Sequence, residues 1–161
     1  MTGQDPAIEA AGDPRHPDHE AWLLELGRAT YAASRVAGVS FDILRVFDGI
    51  SSHSMYSDPL GILLKRIQSL KSRRSDLPGL NEFAESLDAS RTVRNDLIHA
   101  LPVKDGLHRR MTNDRAYVHN FYSVEDVRSA VTQLEATWRI GSHLLYHDGG
   151  EAVRAWIAGG Q

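Results

Sequence analysis

VEDVRSAVTQLEATWRIGSHLL, residues 124–145, carries the clearest signal of fold in the chain. Val124, Val127, Val131, Leu134, Trp138, Gly141 and Leu145 follow one another at steps of 3, 4, 3, 4, 3 and 4. Such spacing keeps all seven on one face of an α-helix and predicts a long, straight helix packed along a neighbour. Ser123 with Asp126 gives it a start like a capping box, and Gly149-Gly150 give it an end. Residues 151–157 have the composition of one more short terminal helix.

Three further helical stripes precede this one. Trp22, Leu26, Ala29, Ala33 and Val36 define a helix over 20–37, which Gly38 ends or kinks. Ser40 is placed to cap a second, short helix from Phe41 to Phe47. Asp58-Pro59 reads as a helix start, a capping acid before proline at the first position. It leads into Leu60, Leu63, Leu64, Ile67 and Leu70, on a helix over 59–74. Asp76 and Pro78 open a helix over 79–99, whose stripe runs Leu80, Phe83, Ala84, Leu87, Arg91, Arg94 and Ile98. Between 104 and 122, two short runs flank a polar T-N-D-R and suggest a β-hairpin. The expected fold is all-α: an antiparallel bundle of four main helices, with a small β-hairpin inserted before the last long one. Residues 1–18, with Pro6, Pro14 and Pro17, read as a flexible tail, and 19–158 as a single domain.

Composition narrows the function. No run of 18 apolar residues exists to span a membrane. No basic start and apolar core mark a signal for export, which favours a cytoplasmic protein. The absence of cysteine excludes disulfides and thiolate metal sites and fits a reducing compartment. A net charge of −3 argues against a constitutive nucleic-acid coat protein, but leaves room for a locally basic cleft. Charge is uneven. Residues 59–75 hold Lys65, Arg66, Lys71, Arg73 and Arg74 with no acid, either a solvated helix face or a flank that attracts phosphate. His143 and His147 have a spacing that can hold a metal, but lack the glutamate and cysteine companions of known patterns, so no metal or other cofactor is expected. No glycine-rich nucleotide cradle and no serine nucleophile elbow occur.

The chemically richest stretch is R-N-D-L-I-H, Arg94 to His99. The helical stripe that bears it begins apolar and turns cationic at Arg91 and Arg94, on the face that should meet other helices. A half-buried arginine needs an anion, a ligand or a route to solvent. Arginines and a histidine in a last turn also complement the helix dipole without any further role. Phosphodiester cleavage needs a group that moves a proton near neutral pH and a fixed cation for developing charge, and His99 and Arg94 supply one of each. The two are five residues apart, about 140° round an ideal helix. They converge on one ligand only where the helix ends or a second copy contributes.

On Arg94, Asn95 and His99, near a helix end in a helical context over 20–148, the chain resembles the HEPN superfamily. An arginine, a following polar residue and a histidine after a short gap mark that superfamily. The resemblance implies a helical domain that pairs as a homodimer. It implies a metal-independent endoribonuclease that cleaves RNA by 2′-hydroxyl attack, of the kind found in toxin–antitoxin and phage-defence systems, with any antitoxin a separate chain. Arg94, Asn95 and His99 would be the catalytic residues. Arg91, from its place on the helix, and Lys71, Arg73 and Arg74, from the basic run, would bind substrate. The alternative is a non-catalytic HEPN-like module for dimerisation, interaction or ligand binding.

Overall fold

The computed structural model describes residues 19–50, 55, 57–103, 106–113 and 116–159. The expected tail over 1–18 and the polar tip at 114–115 lie outside these residues. The chain is mainly helical. Helix α1 spans His19–Asp48, α2 Leu60–Arg73, α3 Leu80–Ile98, α4 Val124–His143 and α5 Gly150–Ala158. Between α3 and α4 lie strands β1 (Leu101–Val103), β2 (Gly106–Asn113) and β3 (Ala116–Tyr122). They pair antiparallel in the order β1-β2-β3, with Leu107 opposite Tyr122 and Pro102 opposite Leu107. No helix among the described residues is long and apolar enough to cross a membrane.

The first helix is longer than its sequence suggests. Gly38 neither ends nor breaks α1, because Val36, Val39, Ile43 and Leu44 continue one buried face through it. Ser40 is no cap: its buried hydroxyl donates to the Val36 carbonyl at 2.8 Å, inside the helix. Asp58 does not cap α2 either, and instead lies 3.1 Å from Arg66. Helix α3 starts after Gly79, whose φ of 81° is a backbone state that favours glycine, so the turn and not an acid sets this start. The capping box on α4 is present, with Ser123 and Asp126 each accepting a hydrogen from the other's backbone N–H. The α-helical hydrogen bonding of α4 stops at His143. Leu144–Asp148 form a π turn in which the Gly149 N–H donates to the Leu144 carbonyl at 2.9 Å, so the last helix is not straight to its end.

Directions also differ from a fully antiparallel bundle. Glu25 meets Arg128 and Arg35 meets Trp138, so α1 and α4 ascend together and run parallel. Helix α3 runs against α4, with Phe83 close to Gly141 and the Ser90 hydroxyl bonded to Thr137. Helix α2 ends beside the end of α1, where Arg73 reaches Asp48. The ends of α1, α2 and α4 therefore gather with the start of α3 at one end of the molecule.

A large core joins α1, α2, α3 and the end of α4 through Ile43, Leu44, Leu63, Ile67, Phe83, Leu87 and Leu134. It is closely packed at Gly141, where a Cβ would stand 2.7 Å from Phe83 and 2.9 Å from Val39. A smaller cluster at the opposite end joins Ala29, Leu97, Leu107, Val127, Ala130 and Val131. Helices α1 and α3 both lean on α4 but touch each other little, which leaves a cleft between them.

Candidate functional site

The last two turns of α3 face that cleft. Leu97 turns into the smaller core cluster and fixes the roll of the helix. Ser90, buried and bonded to Thr137, does the same two turns earlier and lets α3 approach α4 closely. The inner face thus ends on Ser90 and Leu97. Ile98, placed on that face from its spacing, is instead 52% exposed. Arg94 is left on the flank toward α1, half-buried at a cleft of about 230 Å³. The rest of the lining is almost wholly apolar: Leu26, Ala29, Ala33, Leu97, Ile98 and Leu134, with Thr30.

The Arg94 guanidinium donates to the Asn95 carboxamide oxygen at 3.0 Å. Asn95 is a neutral acceptor. It orients the guanidinium without cancelling its charge, whereas a carboxylate would do both. Among the described residues no carboxylate pairs with Arg94. Asp96 lies on another flank of α3, in a separate cavity lined by Val93, Tyr122, Asp126 and Ser129. Its charge is therefore turned away from the cleft. His99 caps α3, and its N–H donates to the Asn95 carbonyl at 3.1 Å. It is exposed. Arg94 and Asn95 are thus brought together, while His99 stands beyond the helix end, with no hydrogen bond to Arg94.

The residues assigned to substrate binding lie elsewhere. Arg91 is held by Asp88 at 2.7 Å, one turn back on α3, and stands against Gly61 of α2. Lys71, Arg73 and Arg74 lie at the other end of the bundle, beside the start of α3. The 19 residues of α3 place that start about 28 Å from His99. Arg73 pairs with Asp48 at 2.7 Å, and Arg74 makes two 2.8 Å bonds to Asp76. Hydrogen bonding to these carboxylates raises the pKa of both arginines, and the bond from Arg74 holds that of Asp76 low. The Arg74 guanidinium also lies 5.8 Å over the Phe47 ring and donates to the Phe47 carbonyl. Within one chain, then, the basic run is not a flank of the Arg94 cleft. Two of its arginines tie helix ends together.

The rings of His143 and His147 stack, with centroids 4.6 Å apart and planes 16° off parallel. Lone pairs lie in the ring planes, so stacked imidazoles point them side by side and do not aim them at a shared ion. The His143 Nδ1 is 3.7 Å from Asp148. Among the described residues no group of three or more histidine, aspartate or glutamate side chains could hold a metal.

Two features escape the sequence patterns. Glu25, 3% exposed, accepts hydrogen bonds from Arg28 and Arg128, both at 3.1 Å. Arg35 stacks on Trp138, with its guanidinium carbon 3.4 Å from the ring centroid. The clue to the first is an acid between Trp22 and Leu26 on an otherwise apolar stripe. For the second there is none, since Arg35 and Trp138 meet only once α1 and α4 are known to run parallel.

No family model, no curated protein and no solved structure matches this chain. The resemblance to the HEPN superfamily stands on Arg94, Asn95, His99 and their helical setting.

Proposed function

We propose that the protein is a metal-independent endoribonuclease of HEPN type, acting as a homodimer. One observation carries the reading. Arg94 is oriented by a neutral carboxamide in an open cleft, which leaves its charge available to an incoming anion, and an exposed imidazole stands at the end of the same helix. No hydrogen bond joins Arg94 to His99 among the described residues, so a two-fold pair completes the site by setting the Arg94 of one subunit near the partner's His99. One His99 takes the proton from the ribose 2′-hydroxyl, and the 2′-oxygen attacks the adjacent phosphorus. The 5′-oxygen leaves and takes a proton from the partner's His99. The products are a 2′,3′-cyclic phosphate and a 5′-hydroxyl. Arg94, held by Asn95, stabilises the charge that builds on the phosphoryl oxygens. Such an enzyme suits a toxin or phage-defence role in the cytoplasm, with any antitoxin a separate chain.

The test is incubation of the purified protein with total RNA in EDTA, beside His99→Ala and Arg94→Ala. Cleavage by the wild type alone supports the reading, and cleavage by His99→Ala at the wild-type rate overturns it. The apolar lining of the cleft and the exposed Ile98 favour a second reading, a non-catalytic module that binds a partner there. Absence of cleavage, with loss of self-association in Arg94→Ala, would select it.

A further inference from the structure

We propose that Arg35, stacked on Trp138 and flanked by Tyr31, is a platform on which an unpaired base of single-stranded RNA stacks. The inference rests on the ribonuclease reading for its choice of ligand but uses none of the residues of that site. Other arginines on α1 and α4 are answered by carboxylates: Arg28 by Glu25, Arg128 by Glu25 and Glu125, and Arg139 by Glu135. Arg35 has no such partner among the described residues. Its guanidinium lies 3.4 Å from the Trp138 ring centroid and 5.8 Å from that of Tyr31. Among the described residues the cation meets aromatic faces and no carboxylate, which leaves its charge able to attract phosphate.

Tyr31 is 67% exposed, more than any other large apolar or aromatic side chain among the described residues. An exposed phenol beside a planar cation held flat by an indole presents π faces at a fixed height above the helix. This is the chemistry that holds nucleobases without regard to sequence, by stacking on aromatic rings and guanidinium planes. A double helix hides its base faces and could not use it.

Position links the platform to the cleft. Thr30 lines the cleft that holds Arg94, and Tyr31, the next residue, faces the other flank of α1. Only the width of one helix, roughly 10–12 Å with side chains, separates the two. A single strand crossing α1 can therefore stack one base beside Arg35 while a nearby phosphate reaches Arg94. A duplex, being stiff and wide, cannot follow that path.

The test uses a fluorescent single-stranded oligonucleotide with 2′-O-methyl riboses, which lacks the attacking hydroxyl, and reads binding by anisotropy. Tyr31→Ala and Arg35→Lys should each weaken binding about tenfold, since loss of one stacked base has an effect of this order. Arg35→Lys keeps the charge and loses the plane, and Tyr31→Phe, which keeps the ring, should bind as the wild type does. On cleavable RNA the two weakened variants should raise KM and leave kcat unchanged. Tyr31 is exposed, so its variants test the idea even if Arg35→Lys melts early. If the wild type cleaves RNA and both variants bind the oligonucleotide as it does, the platform is wrong and the ribonuclease reading stands. If the wild type binds the oligonucleotide and cleaves nothing, while Tyr31→Ala loses binding, the platform stands without the nuclease. If the wild type neither binds nor cleaves, both are overturned.

Discussion

Arg74 and Arg94 sit at opposite ends of the bundle and are held in different ways. Arg74 is gripped twice by Asp76 and covers the Phe47 ring, and beside it Arg73 is taken by Asp48. At that end charge is matched by charge, and the helix termini are drawn together over the larger core. Among the described residues, Arg94 is met only by the amide oxygen of Asn95, beside a cleft, over the smaller core cluster. Basic side chains are not equivalent in what they offer a ligand. A matched pair has spent its field on its neighbour, while a cation oriented by a neutral group keeps it.

The largest effect should fall on the unmatched end. Arg94→Ala or His99→Ala should lower the rate of RNA cleavage by about two to four orders of magnitude. Their melting temperatures should stay close to that of the wild type, because alanine is the better helix former. If Arg94→Ala instead unfolds, the two ends are alike and both arginines are structural.

The matched end should give the largest effect on stability. Phe47→Ala removes a buried ring that Arg74 covers and should destabilise by about 3–5 kcal/mol in chemical denaturation. Cleavage per folded molecule should be unchanged. A loss of activity at temperatures where the variant is still folded would show that the two ends are coupled.

These contrasts were unevenly legible in the sequence. The steps of three and four in 124–145 and the Ser123–Asp126 pair locate α4 because they are local, and local pattern is what a helix start and a buried stripe require. Gly38 misleads for the converse reason: a lone glycine is a poor helix former, but the packing of Val36, Val39 and Ile43 outweighs it. The basic run reads as a phosphate flank from its density of charge. Its partners Asp48 and Asp76 lie outside the run and meet it only when helix ends converge. Arg94 and Asn95, being adjacent, could be read together. The cleft could not, since it arises from three helices whose directions the sequence does not reveal.

A smaller effect should sharpen the comparison at the start of α4. Ser123→Ala removes the side-chain half of the capping box and should cost about 1 kcal/mol. The Ser123 backbone N–H, and then its hydroxyl, hold the Asp126 carboxyl below its usual pKa. A lowered folded pKa means that the stabilisation is present above the unfolded value, about 3.9, and is lost as pH falls through the folded one. The gap between wild type and Ser123→Ala, followed by thermal melts, should therefore narrow at low pH. A gap that is constant with pH would show that the serine acts without the carboxylate.

The smallest effect should come from Asp76→Ala. Its ion pair is exposed and screened, and Arg74 has further contacts with the ring and the carbonyl of Phe47. The melting temperature should drop slightly in dilute buffer, and the drop should vanish at high salt. A large, salt-independent drop would mean that the matched end depends on this pair.

The parallel run of α1 and α4 sets a timetable for the newborn chain. Glu25 and Arg128 are separated by 103 positions, so the first helix made meets its principal partner among the last made. While α2 and α3 leave the ribosome, the apolar face of α1 has only part of its eventual cover. Distant pairings also carry the entropy of closing a long loop, which delays them relative to neighbouring contacts. Completion of the bundle must therefore await the emergence of α4. A stall in synthesis before residue 124 leaves Val36, Val39 and Leu44 without α4 and open to other apolar surfaces.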